Sequence, residues 1–209
     1  MISPAEPDEP LDHDRSANFE VIAAFELGLA LIALAIGWFF SFDPRHDLKP
    51  GISLASVVRH GVQGLVATLP LFLGFLIINQ ASWKPAQYVR DFVRQHITPW
   101  IRPLPVWQLI ILGMCAGIGE ELLFRGAIQF VAYRWMPAAT AVILSSILFG
   151  VAHFITWWYA LLAGLASLYL GWVFVTTGSL LPPIVAHAVY DIVVLVYLCL
   201  LYTSDAADE

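Results

Sequence analysis

The chain has 209 residues, of which 59% are hydrophobic and only 12% are charged, and its mean hydropathy is +0.76. This composition excludes an ordinary soluble domain and is typical of a protein whose solvent is the lipid bilayer. A net charge of −6 without a basic patch argues against a nucleic acid partner. The two cysteines lie in apolar stretches and provide neither a disulfide framework nor a zinc-binding pattern.

Acidic residues concentrate at the two ends of the chain. We predict a disordered acidic tail over residues 1–18 and one membrane domain over residues 19–198. The N-terminus lacks a basic region and a small-residue cleavage site, so the first apolar stretch is predicted to be a retained span. Residues 199–209 resemble the translation of a sequencing-library adapter. We therefore expect them not to be native and exclude them from the prediction of the fold.

A membrane-spanning helix needs about 20 mostly apolar residues. On that criterion we predict an all-α, polytopic membrane bundle of about six transmembrane helices. The predicted spans are Val21–Phe40, Val58–Ile78, Trp107–Val131, Ala138–Ile155, Trp158–Thr176 and Leu181–Leu198.

The segment Lys84–Ile97, between the second and third predicted spans, alternates apolar and charged side chains at helical spacing. This pattern predicts an amphipathic helix at the membrane interface, ending before Pro99. The same loop carries the densest group of basic residues, which are Lys84, Arg90, Arg94 and Arg102. Because basic loops favour the cytoplasmic side, we predict that this loop and the N-terminus are cytoplasmic.

Three short motifs place ionisable side chains inside the predicted spans. They are Glu120-Glu121-x-x-x-Arg125, Phe149-x-x-x-His153 and His187-x-x-x-Asp191. One such residue at the centre of a spanning helix costs about 2.5–3.5 kcal/mol on insertion scales, so these residues are rare and usually functional. We therefore expect the three motifs to converge on one buried polar site.

Helix geometry predicts how the first two motifs are arranged. Glu121 and Arg125 are four residues apart and can form an ion pair, whereas Glu120 points about 100° away and is free to face a cavity. Glu120 and His153 lie at similar distances from the turn near residues 134–137, so antiparallel helices bring them level.

The third motif fits this arithmetic less well. His187 lies only a few residues after a turn, which would place it near the opposite side of the membrane from Glu120. Two explanations are open. Either Pro182-Pro183 breaks the start of the last span, or the helices tilt.

Other polar and small residues of the spans are predicted to be structural. Glu26 lies near the start of the first span, where it can reach the interface. Small residues at helical spacing are expected to let helices approach closely. These are Gly113, Gly117, Ala160, Gly164, Ser167 and Gly171.

The three motifs, in this order on successive spans, resemble the signature of the CPBP intramembrane proteases. That family includes the type II CAAX prenyl endopeptidases and bacterial relatives linked to bacteriocin processing and self-immunity. The resemblance covers Trp107–Leu198, which we take as the protease core, 107–198. It implies an intramembrane endopeptidase of the bacterial inner membrane. The expected substrate is a prenylated CAAX-type peptide, a leader peptide or a membrane protein.

The resemblance also implies roles for individual residues. Glu120 would be the general base that activates a water, and His153 would position that water. His187 and Asp191 would stabilise the oxyanion, although members of the family also have Asn in place of Asp191. An ionised Asp191 would repel an oxyanion, so Asp191 must be protonated, orient His187 or act otherwise. Glu121, Arg125 and Phe149 would support these four residues.

Three alternatives accompany this interpretation. Glu120, His153 and His187 also form a ligand set that is seen at catalytic zinc. Because His-Glu-x-x-His is absent and the resemblance favours a glutamate-dependent mechanism, we expect no metal and no other cofactor. A catalytically silent immunity or scaffold protein of the same fold would not require the complete motif set. A proton-coupled transporter could use the same residues as a relay, but the chain has no repeated halves.

Overall fold

A computed structural model describes residues 12–45, Leu48 and residues 53–205, and these residues contain helices and no strand. The helices are α1 (Asp12–Phe39), α2 (Leu54–Gln80), α3 (Lys84–Phe92), α4 (Thr98–Ile101), α5 (Val106–Glu121), α6 (Phe130–Ala132), α7 (Ala138–Ala152), α8 (Trp157–Thr177) and α9 (Leu181–Asp205). A π-helical segment, Val93–Ile97, joins α3 to α4. A second, Leu122–Gln129, joins α5 to α6. The predicted all-α bundle is confirmed.

Five helical stretches are long and apolar enough to cross a membrane. They are Asn18–Phe39, Leu54–Gln80, Val106–Ala132, Trp157–Thr177 and Leu181–Leu200. The fourth predicted span, Ala138–Ile155, corresponds to the shorter helix α7, whose 15 residues rise about 22 Å against a hydrocarbon core of about 30 Å.

Helix α7 ends early because His153 leaves the helical conformation, with φ −94° and ψ 20°. Thr156 then starts α8 as its N-cap, and its hydroxyl accepts a hydrogen bond from the backbone N–H of Tyr159.

Two boundaries differ from the prediction. Residues 12–18, which we predicted as part of the acidic tail, are helical and belong to α1, and residues 1–11 lie outside the described residues. The amphipathic segment does not end before Pro99. It continues through α4 to Ile101, because Pro99 sits in the first turn of α4, where its missing N–H breaks no helical hydrogen bond.

Helix α5, continued by the second π-helical segment and α6, is the centre of the bundle. In its apolar 18-residue stretch, 56% of the residues are buried, compared with 6% in the corresponding stretch of α1, which presents most of its surface outward. Helix α9 packs along α5 at Gly113 and Gly117, where a Cβ added to Gly117 would lie 2.7 Å from the Cβ of Ala188. The prediction that these glycines allow close helix contact is confirmed.

The turn between α8 and α9 explains the position of the third motif. Leu180 is fully buried and packs beside Gly126, well inside the bundle. Helix α9 begins at Leu181, and Pro182 and Pro183 occupy its first turn without breaking it. Because this turn lies inside the bundle, His187 is at the same depth as Glu121.

Candidate active site

The four predicted site residues lie together in the bundle. The Oε2 atom of Glu120 is 3.7 Å from Nε2 of His153 and 3.9 Å from Nε2 of His187. The Oδ2 atom of Asp191 is 3.5 Å from the same nitrogen of His187. The side chains of Glu120 and His187 are 8% and 9% exposed, whereas those of His153 and Asp191 are 27% and 26% exposed. The site is therefore reached from the side of His153 and Asp191.

Glu120 differs from its neighbour Glu121 in its hydrogen bonds. The Oε2 atom of Glu120 is fully shielded and has no hydrogen-bond partner among the described residues. Its distances to the two imidazoles exceed a direct hydrogen bond, which is about 2.7–3.2 Å for nitrogen and oxygen. Glu120 therefore faces both imidazoles without bonding directly to either ring.

The ring of His153 is fixed from two sides. Its Nδ1 donates to the backbone carbonyl of Phe149 at 2.9 Å, since a carbonyl oxygen can only accept. The ring also stacks on Phe149, with centroids 4.2 Å apart and planes 14° apart. Nε2 is therefore the nitrogen that faces Glu120.

Glu121 forms the predicted ion pair with Arg125 and also binds the imidazole of His187. Its Oε1 accepts hydrogen bonds from Nη1 of Arg125 at 2.9 Å and from Nδ1 of His187 at 2.8 Å. Glu121 and Arg125 are completely buried. The predicted pair is present, and the contact with His187 is an additional role for Glu121 that sequence reasoning missed.

Arg125 connects this pair to α8. Its Nη2 donates to the carbonyl of Ser167 at 2.7 Å and to the hydroxyl of Ser167 at 3.0 Å. Ser167, which we predicted as a packing residue, is therefore also a ligand of the guanidinium. Arg125 lies in the π-helical segment Leu122–Gln129, and π-bulges occur frequently at functional sites. Its guanidinium carbon is 5.3 Å from the ring centroid of Phe149, so Phe149 contacts two of the site's basic groups.

Two further buried polar residues were missed. Gln129 is fully buried, and its side-chain amide donates to the carbonyl of Gly171 at 3.3 Å and to the hydroxyl of Tyr133. Glu26 was predicted to reach the interface, but it is only 9% exposed and its backbone lies against Gly119. An acidic residue within a predicted span, even near its end, was the available signal for Glu26.

Glu120, His153 and His187 are the residues that would bind zinc under the alternative interpretation. Among the residues that the structure describes, no group of three or more His, Cys, Asp or Glu side chains has an arrangement that could hold a metal ion. Glu120, His153 and His187 are close to one another without forming such a group.

The fold and the site define a polytopic membrane protein with a buried carboxylate–imidazole centre. The family model described as type II CAAX prenyl endopeptidase Rce1-like matches residues 102–193, the segment that contains every predicted site residue. Over this segment the chain is similar to that family, in agreement with the resemblance carried by its three motifs. The chain is 26% identical over 172 residues to the uncharacterized protein YpbD of Bacillus subtilis (strain 168), covering 80% of this chain and 83% of YpbD. No solved structure matches the chain.

Proposed function

We propose that this protein is an intramembrane endopeptidase in which Glu120 activates a water molecule for attack on a peptide carbonyl. The observation that carries this proposal is the position of Glu120 Oε2, which faces Nε2 of His153 and Nε2 of His187 at 3.7 and 3.9 Å. A water bound by the Glu120 carboxylate beside the two rings would give one proton to Glu120 and keep its nucleophilic oxygen near the imidazoles.

His153 is suited to orient that water. Because its Nδ1 donates to the Phe149 carbonyl, the neutral ring presents the lone pair of Nε2 toward Glu120. That lone pair can accept the second hydrogen of the water. Stacking on Phe149 restricts the ring, so the water is held in one direction before the substrate arrives.

His187 and Asp191 are suited to stabilise the oxyanion. Glu121 accepts from Nδ1 of His187, so Nε2 can donate to an oxyanion only from the imidazolium. The carboxylates of Glu120 and Glu121 lie within 4 Å of this ring and favour that charged form. Asp191 donates as well if it carries a proton, and preset donors of this kind supply a large share of catalysis.

The proposed substrate is a peptide or membrane-protein segment delivered through the bilayer, with a prenylated CAAX-type end as the first candidate because of the family match. We further propose a bacterial plasma membrane location with a cytoplasmic N-terminus. The basic residues of the α2–α5 connection, among them Lys84 and Arg90, support this orientation.

Replacement of Glu120 tests the general base directly. Purified wild-type protein, Glu120→Gln and the matched control Glu20→Gln would be assayed in lipid vesicles with a prenylated, internally quenched CAAX peptide. Glu20 is an exposed carboxylate on α1, so its amide removes the same charge outside the site. We expect Glu120→Gln to lower kcat by about 10²–10⁴-fold with unchanged thermal stability, and the control to be unaffected. Full activity in Glu120→Gln would exclude the general base.

Exhaustive chelation distinguishes this mechanism from a zinc enzyme that uses the same side chains. We expect activity to survive chelation, and elemental analysis of the active protein to find no stoichiometric metal. Zinc whose removal and restoration track activity would instead assign Glu120, His153 and His187 as ligands.

A further inference from the structure

Glu26 is a buried carboxyl that the proposed mechanism does not use. It lies on α1, outside the segment that matches the family model. Its backbone packs against Gly119, where an added Cβ would meet the carbonyl oxygen of Glu26. Because Gly119 has no side chain, α1 packs directly against the backbone next to Glu120.

The charged groups near Glu26 belong to the candidate active site. The charged groups that act on it are Glu120 from α5, His187 and Asp191 from α9, and His153 from the end of α7, and Cys115 of α5 is a further titratable neighbour. Its Oε2 is fully shielded and has no hydrogen-bond partner among the described residues. An isolated buried carboxylate is strongly unfavourable, and such a group neutralises itself by keeping a proton.

The charge count of the site leads to the same protonation state. It contains four carboxyl groups, on Glu26, Glu120, Glu121 and Asp191, but only one permanent cation, Arg125. Even with both imidazoles charged, the negative groups outnumber the positive ones, so we expect at least one of these buried carboxyl groups to be neutral.

Glu26 is the carboxyl that the contacts identify as neutral. Glu121 accepts two short hydrogen bonds, and Glu120 faces two imidazoles. Asp191 lies 3.5 Å from one imidazole. Only Glu26 lacks a basic group within ion-pair distance among the described residues, so it is the carboxyl that retains a proton.

We propose that Glu26 is a further acid–base residue of this protease and supplies the proton that the leaving amine requires. This inference rests on the proposed function. In the first step, Glu120 takes a proton from water as the new carbon–oxygen bond forms. In the second, the carbon–nitrogen bond breaks and the nitrogen takes the proton of Glu26. The proton held by Glu120 then passes to Glu26, so one water is consumed and both carboxyl groups return to their starting states.

The dependence on the leaving group tests this role. Two prenylated CAAX peptides would be compared, one with the scissile amide and one with an ester at the same bond. An amine must be protonated to leave, whereas an alkoxide leaves with less help from an acid. We expect Glu26→Gln to reduce kcat for the amide by about 10²-fold or more and to change ester cleavage far less.

Three comparison variants make the result specific. Glu26→Asp retains the carboxyl and should recover part of the amide activity, whereas the exposed Glu20→Gln should leave both reactions unchanged. Glu120→Gln should lose both reactions, because both need the activated water. Thermal unfolding would show that Glu26→Gln is folded. If Glu26→Gln lost amide and ester cleavage equally, or kept full amide activity, the role of Glu26 would be overturned. The proposed role of Glu120 would be unaffected by that result.

A readout without substrate separates this inference from the proposed function. The infrared spectrum of the wild-type protein should contain the carbonyl band of a protonated carboxylic acid, and Glu26→Gln should lose intensity from it while Glu20→Gln does not. An undiminished band in Glu26→Gln would show that Glu26 holds no proton and would overturn the inference even if no peptide is cleaved.

Discussion

Two clusters of polar side chains meet at His187 but differ in how closely their atoms approach. In the support cluster, formed by Glu121, Arg125 and Ser167, the contacts measure 2.7–3.0 Å and fix the arrangement. In the reaction cluster, formed by Glu120, His153 and Asp191, the contacts with imidazole nitrogens measure 3.5–3.9 Å. Satisfied hydrogen bonds stabilise a shape, whereas the groups of the reaction cluster keep hydrogen-bonding capacity that a reactant can use. We expect changes in the support cluster to alter stability and changes in the reaction cluster to alter rate.

The largest effect on stability is expected for Glu121→Gln. The amide preserves size but removes the negative charge beside a fully buried Arg125. Breaking a buried ion pair from one side typically costs about 3–5 kcal/mol, because the remaining charge is left uncompensated. Thermal and denaturant unfolding of the purified protein in detergent would measure the loss.

The double variant Glu121→Gln with Arg125→Met is the control for this prediction. It removes the remaining charge and should recover part of the lost stability, since apolar replacement of a buried pair is often neutral. A single variant as stable as the wild type would mean that the pair does not hold the site, and the distinction between the two clusters would fail.

A smaller effect is expected for Ser167→Ala. Arg125 would lose the hydroxyl at 3.0 Å but keep the Ser167 carbonyl at 2.7 Å, so we expect a loss of about 1 kcal/mol. Ser146→Ala is the matched control, because this buried hydroxyl bonds only the Val142 carbonyl of its own helix. An equal effect of the two substitutions on the unfolding temperature would show that Ser167 has no special role toward Arg125.

The convergence of Glu120 and His153 was predictable because one short turn joins their antiparallel helices, and counting residues from that turn fixes their depth. The depth of His187 was not predictable in the same way. It depends on a recessed turn in which Leu180 lies beside Gly126, and no local pattern in the sequence encodes that position of the turn.

Glu26 and Glu121 show a second limit of sequence reasoning. A single acidic residue near a span end has the same pattern whether it reaches the interface or enters a site, and only the contact of α1 with Gly119 decides this for Glu26. Glu121 pairs with Arg125 by helix spacing alone, and that prediction is confirmed. Its contact with His187 joins residues far apart in the chain, so no spacing rule applies to it.

The smallest effect is expected for Asp191→Asn, a change within the reaction cluster. Glu121 occupies Nδ1 of His187 and Asp191 lies near Nε2, so Asp191 is not needed to orient the ring. If Asp191 donates a proton toward the oxyanion, the asparagine amide donates from the same place. We expect kcat to change by no more than about threefold, which is below 1 kcal/mol in activation free energy.

The pH profile of Asp191→Asn makes this prediction sharper. A protonated aspartic acid loses its donor hydrogen as the pH rises, so wild-type activity should fall on the alkaline side, whereas an amide keeps its hydrogens and the alkaline limb should flatten. A tenfold or larger loss of kcat with unchanged thermal stability would contradict the donor role. Asp191 would then act as the anion that supports a charged His187, and oxyanion stabilisation would fall to His187 and backbone N–H groups.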